Sequence, residues 1–160
     1  MATTPSFRIT ALPTALLAPL LASDHCVAGS PPMRRMVADS KPGYPCRISL
    51  VDADIGEAVL LLAYEHHAVD SPYRASGPIF VRIDARRSQP EPGEIPDFLR
   101  SRLLSIRAYD DQGALVTADV VEGRDLEGRF GPLFANPRVR QLHLHNARTG
   151  CFLCRADRPG

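Results

Sequence analysis

The 160-residue chain carries 19 Lys and Arg against 18 Asp and Glu, giving a formal net charge of +1, with 44% hydrophobic and 23% charged residues. That balance excludes a disordered segment, and it excludes a nucleic-acid binder working through a strong positive field. A chain of this length supports one core and buries roughly 68–70% of the surface its unfolded form exposes, so a single domain over residues 1–160 is expected.

From the N-terminus, Phe7 to Leu12 reads as a strand and Thr14 to Leu21 as a short helix limited by Pro19. The apolar run Ala15 to Ala22 fails as an export signal. Only Arg8 precedes it, Pro13 and Pro19 interrupt it, and no small-x-small site closes it. It is also too short to span a bilayer, so no membrane association is expected. Asp24 is placed to cap a further helical turn. Pro31 to Pro45 holds four prolines, a short strand around Arg34 to Ala38, and a Pro42-Gly43 turn.

Strands are then expected at Cys46–Val51, Glu57–His66, Ile79–Ile83, Leu103–Tyr109 and Leu115–Val121. Asp52 to Gly56 and Asp110 to Gly113 have hairpin-loop composition, and short loops imply antiparallel neighbours. Arg86 to Gly93, with two prolines and mixed charge, is expected to be an exposed mobile loop. A helical turn starts near Pro96. A further helix, Asp125 to Phe134, puts Leu126, Phe130 and Phe134 on one face, although Gly128, Gly131 and Pro132 weaken it. The class that results is α+β, a mainly antiparallel sheet with a few short helices.

The closing segment carries the densest chemistry. His143 and His145 share one side of an extended strand while Leu142 and Leu144 share the other. Gly150 can take positive φ where the chain reverses into Cys151-Phe152-Leu153-Cys154. A five-residue loop places Cys151 opposite His145, where directly paired Cβ atoms lie roughly 4.5–5.5 Å apart.

Three site chemistries follow. In the first, His143, His145 and Cys151 hold zinc or another divalent transition metal, with Cys46, His66 or water as a fourth ligand; the alternative is a histidine pair hydrogen-bonded within a sheet. In the second, Cys151 is a nucleophile, His145 its base and Asn146 the group that orients the imidazole. In the third, Arg47, Arg82 and Arg107, each interrupting an apolar strand, bind a small anionic ligand with Tyr64 and Ser76 as added donors. Against it stands a solvated sheet face on which the arginines pair with Asp119 or Glu65. The sequence lacks a nucleotide-binding glycine loop, a serine elbow and a metalloprotease motif, so a non-catalytic interaction protein is the alternative to all three.

Four cysteines are too few for a disulfide framework in a chain this long, so reduced thiols and a cytoplasmic setting are expected. Cys151-x-x-Cys154 has no room for the helix of a thioredoxin-type motif, and Cys26 and Cys46 are too far apart to make a zinc ribbon. Cys26 and Cys154 read as small core residues. Lys41 is the only lysine, an arginine bias that fits a genome rich in G and C and a bacterial source.

The order of motifs resembles the bacterial family known as Domain of Unknown Function 1203. The likeness rests on Pro42 to Leu50, Leu61 to His66, Ser71 to Arg82, Leu104 to Asp110, Ala118 to Val121, and His143 to Ala147 followed by Gly150-Cys151-Phe152. It implies a small soluble bacterial protein of one domain and brings no reaction, cofactor or catalytic residue with it.

Overall fold

Alternation along Leu103 to Tyr109 turns Leu104, Ile106 and Ala108 to one side, and all three are fully buried. The same period on Gln141 to Asn146 adds Leu142 and Leu144 to that side. These two strands are the centre of the fold.

The computed structural model describes residues 7–22 and 33–158; the expectations for Asp24 and Cys26 fall outside them. Eight strands run in chain order: β1 (Arg8–Thr10), β2 (Met33–Val37), β3 (Ala58–His67), β4 (Ala75–Arg82), β5 (Leu103–Tyr109), β6 (Leu115–Glu122), β7 (Gln141–Asn146) and β8 (Phe152–Asp157). Helices are α1 (Leu17–Ala22), α2 (Asp97–Arg100) and α3 (Glu127–Ala135). A five-stranded sheet has the order β1-β8-β7-β5-β6 and a three-stranded sheet the order β2-β3-β4, with every strand pair antiparallel. The α+β class therefore holds, with the strands divided between two sheets.

Each sheet has its own core. On one face of the larger sheet, Ile106, Leu142 and Leu144 pack with Phe98 and Leu99 of α2 and Phe130 and Phe134 of α3. Burial of such side chains contributes about 1.5–3 kcal/mol each, enough for α3 to form despite Pro132 inside it. The second core joins Leu60, Leu62, Ile79 and Val81 of the smaller sheet to Leu17 of α1, and it includes Phe152 from β8 of the larger sheet.

Two expectations change. Cys46 to Val51 is a folded turn, not a strand: Leu50 N–H donates back to Cys46 O at 3.0 Å, and Leu50 sits at φ 53. A left-handed leucine costs about 1–2 kcal/mol. Local hydrogen bonds hold it, with the Cys46 sulfur accepting from Ser49 N–H and Cys46 N–H donating to Val51 O. Residues 86–93, expected to be mobile, are tied down at both ends: Arg87 donates to Ala11 O, Ser88 N–H to Ile48 O, and Gly93 N–H to Phe7 O.

Gly123, just after β6, donates to Arg102 O at 2.7 Å, and a Cβ built on it lies 1.9 Å from Leu99 O. The obstacle is backbone, so it cannot rotate away. Gly123→Ala is expected to destabilise the fold by at least the ~1–3 kcal/mol typical of overpacking, read as a lower urea midpoint; an unchanged midpoint would show that α2 can withdraw from β6.

Candidate functional site

Two β-bulges build the site. Between β3 and β4 the register moves from Tyr64↔Gly77 to His67↔Ala75, so β3 carries one residue too many. A bulge re-aims side chains that strict alternation would send to opposite faces. Consecutive His66 and His67 both reach His143, with ring centroids 6.2 and 5.0 Å away. Between β7 and β8 the register moves from Leu144↔Cys154 to His145↔Phe152. Phe152, not Cys151, therefore stands opposite His145.

Four imidazoles, Tyr109 and Phe152 form one cluster between the sheets. The Phe152 ring stacks on His66 at 5.4 Å and meets His143 and His145 edge-on at 5.4 and 5.7 Å. His66 and His145 are 4.9 Å apart, and Tyr109 lies 3.9 Å from His67 and 4.8 Å from His143. Edge-to-face packing at these distances suits rings with negative faces and positive edges.

Backbone carbonyls fix two of the tautomers. Gly150 O lies 3.0 Å from His145 Nδ1 and Gly113 O lies 2.9 Å from His67 Nε2. A carbonyl only accepts, so those nitrogens carry protons, and in the neutral His145 ring Nε2 keeps a lone pair. His145 Nε2, His143 Nδ1 and both nitrogens of His66 are buried with no hydrogen-bond partner among the described residues. Each such nitrogen costs about 1–3 kcal/mol unless something meets it.

Burial is the first reason the rings resist protonation, lowering His66 to about 4, His145 to about 3 and His143 to about 2. The charged side chains acting on them all push the same way: Arg107 on His66 and His145, Arg155 on His143, and Arg47 on His145. A cavity of about 170 Å³ opens beside the rings, lined by Tyr64, His66, Arg87, His143, Phe152 and Arg155 among others.

The remaining sequence-derived candidates are dispersed. Cys151 Sγ lies 2.9 Å from Thr149 Oγ1, in a separate cavity that Arg47 and Asn146 also line. It does not complete a ligand set with His143 and His145, and among the described residues no three His, Cys, Asp or Glu side chains form a group able to hold a metal ion. Asn146 Oδ1 accepts from Arg148 N–H, while the His145 ring is oriented by Gly150, so the cysteine-histidine-asparagine relay does not assemble. Cys46 is fully buried, its sulfur accepting from Ser49 and Arg82 N–H groups.

The three arginines do not converge. Arg82 pairs with Glu57 at 2.7 Å, Arg47 is buried elsewhere, and of the three only Arg107, paired with His143 across β5 and β7, stands beside the cluster. Asp119 and Glu65 pair instead with Arg129 and Arg74. Tyr64 lines the imidazole cavity; Ser76 lines a shallow apolar depression with Leu61, Leu62 and Pro78. His67, Tyr109 and Phe152 are the members the sequence reading missed. The His66-His67 doublet at a strand end was the available signal, but alternation assigns adjacent residues to opposite faces unless a bulge intervenes.

A family model described as "Protein of unknown function (DUF1203)" matches residues 43–158. No curated protein and no solved structure matches the chain.

Unfolded histidines titrate near ~6.5, so below that pH the unfolded chain binds protons that the buried rings refuse. Stability is then present in full above pH ~6.5 and is lost as pH falls toward the folded values, at up to about 1.4 kcal/mol per pH unit for each ring that stays neutral. Urea titrations between pH 7 and 4 are expected to show this slope, and His145→Asn is expected to reduce it by about one proton's worth. A slope unchanged in that variant would mean His145 is already charged in the fold.

Proposed function

The chain belongs to the DUF1203 family, and from that premise we propose that it binds a small anionic ligand in the imidazole-lined cavity between its two sheets. One observation carries the reading: His66 and His143, rings that hold buried nitrogens without partners among the described residues, line a cavity together with Arg87 and Arg155. A neutral imidazole offers one donor and one acceptor. His66 and His143 can therefore match a ligand that presents both, while Arg87 and Arg107 attract its negative charge and Arg155 is shared with Asp157, 2.8 Å away. Arg87 already gives Nε–H and an Nη2–H to Ala11 O, which holds its guanidinium at the rim.

The sign of the field selects among ligands. Arg107 and Arg155 oppose an added proton on these rings, and they oppose a divalent cation for the same reason. Zinc or another transition metal suits bare imidazole lone pairs chemically, yet it enters against that field, whereas an anion enters with it. In an enzyme the same rings act as proton acceptors, since desolvated neutral imidazole is the form a general base requires. The free thiols of Cys46, Cys151 and Cys154 and the arginine-for-lysine bias support a cytoplasmic setting in a bacterium. The near-neutral net charge argues against nucleic acid as partner. Among the described residues no helix is long and apolar enough to cross a membrane.

Long-range proton–nitrogen NMR of the imidazole rings tests the proposal directly. Phosphate, sulfate and small mono- and dicarboxylates are titrated in turn, with zinc as a separate arm. At least one anion is expected to move the His66 and His143 signals saturably, and His143→Phe is expected to weaken that binding by about tenfold or more, the loss of one good hydrogen bond. Shifts with zinc alone would favour the metal reading. Rings unmoved by either would favour a scaffold protein in which the imidazoles only pack.

A further inference from the structure

A second cavity, of about 250 Å³, shares no lining residue with the imidazole cavity. Arg47 is the unusual member of its walls. That residue is 1% exposed, yet no carboxylate among the described residues lies within ion-pair distance of it. Its Nε–H donates to Phe152 O at 2.7 Å and an Nη1–H donates to Pro45 O. A guanidinium carries five N–H donors, and the remaining ones meet no oxygen of the described residues.

Charge is the stronger demand. Burial is the largest influence on Arg47 and pushes it below the ordinary arginine range; Arg102 adds to that push, and no carboxylate acts against it. The two carbonyls orient the guanidinium without neutralising it, and a desolvated cation lacking an anion is strongly unfavourable. The other walls indicate which anion fits. Pro45, Leu61, Pro78 and Phe80 are apolar. Asn146 adds a donor: its Oδ1 accepts from Arg148 N–H, while its side-chain NH2 has no acceptor among the described residues. Phosphate or sulfate would set three or more oxygens against the apolar walls and bring more charge than one guanidinium balances. A carboxylate brings one charge on two oxygens, the shape the guanidinium fork accepts. The volume lies below the roughly 300–1,000 Å³ usual for ligand pockets, so the attached chain is short.

We propose that this cavity binds a small aliphatic monocarboxylate, its carboxylate held by Arg47 and the Asn146 side-chain amide and its chain laid against Leu61, Pro78 and Phe80. The site stands apart from the imidazole cavity. Occupancy here balances the charge of Arg47 and leaves His66 and His143 as they are. Because Arg47 already ties Phe152 of β8 to Pro45, a ligand that neutralises it also stabilises the fold in proportion to its concentration.

Acetate, butyrate and hexanoate are titrated into the full-length protein, with phosphate as a separate arm, while proton–nitrogen NMR follows the Arg47 Nε–H signal. That proton is buried and bonded to Phe152 O, which slows its exchange with water. Butyrate and hexanoate are expected to move the signal saturably. Affinity is expected to rise about fourfold per methylene added, the value of burying one CH2, and to be the same in His143→Phe. Phosphate is expected to bind at least about tenfold more weakly than hexanoate, because its extra oxygens lose water without gaining donors. Thr149→Glu sets a competing carboxylate on the cavity wall and is expected to weaken hexanoate at least about tenfold; Thr149 is exposed, so the variant should keep the fold. Histidine signals report the other cavity, so failure at one site is read separately from failure at the other. An Arg47 signal unmoved by all three acids would leave Arg47 as a brace only and overturn the proposal. So would affinity indifferent to chain length, phosphate bound as well as hexanoate, or full hexanoate binding by Thr149→Glu.

Discussion

The residue on which both cavities depend is Phe152. Its ring stacks on His66 and closes the imidazole cluster, while its carbonyl accepts from Arg47 and fixes the guanidinium of the neighbouring cavity. It occupies that position because β8 slips relative to β7 between Leu144 and His145. Without the slip, the register of the preceding pairs would set Leu153 opposite His145, and Phe152, the large apolar side chain that joins the second core to the larger sheet, would not stand there. A single register irregularity thus sets which ring closes the imidazole cluster.

Electrostatics gives the two cavities a common character. Arg155 at the imidazole cavity is paired with Asp157, but Arg47 has no carboxylate partner among the described residues, and the arginines acting on the histidine rings, Arg107, Arg155 and Arg47, all oppose their protonation. Elsewhere the chain pairs its charges readily, Arg82 with Glu57, Arg74 with Glu65 and Arg102 with Asp52. Arg47 is the exception, a buried guanidinium held by backbone carbonyls. Arginines placed at both cavities of a chain of net charge +1 create local fields that total charge does not reveal.

Much of the scaffold was legible because it obeys simple periods. Leu103–Tyr109 is a strand with the bounds that alternation suggests, β6 and β7 follow closely, and Gly150 takes the positive φ its turn requires. Leu126, Phe130 and Phe134 form the buried face of the segment around α3. What failed was everything governed by departures from period two. Cys46–Val51 alternates well enough to read as a strand but closes on itself through local hydrogen bonds. The pairing of Cys151 with His145 assumed a five-residue loop, whereas the ladder and its bulge set Phe152 there, and the grouping of His67 with His66 needed a bulge that no composition rule announces. Arg47, Arg82 and Arg107 look equivalent as charged interruptions of apolar runs; only their long-range neighbours, with separations such as |i−j|=105 for Arg47 and Phe152, give them different roles.

The bulges also explain why the site can tolerate so much unfavourable chemistry. Neutral imidazoles excluded from water, unmet ring nitrogens and an unpaired guanidinium each oppose folding. They are confined to the seam between two sheets, while the apolar faces that stabilise the domain lie away from it: Leu104, Ile106, Leu142 and Leu144 against the helices, and Leu60, Leu62, Ile79 and Val81 around the smaller sheet. Strand pairing continues on either side of each irregularity, so the ladder hydrogen bonds hold the misaligned residues where alternation alone would not put them. A ligand that satisfies groups at the seam adds to stability without repacking either core. In that arrangement Phe152 is shared between the seam and the second core, while the other residues that stabilise the sheets lie apart from the imidazoles.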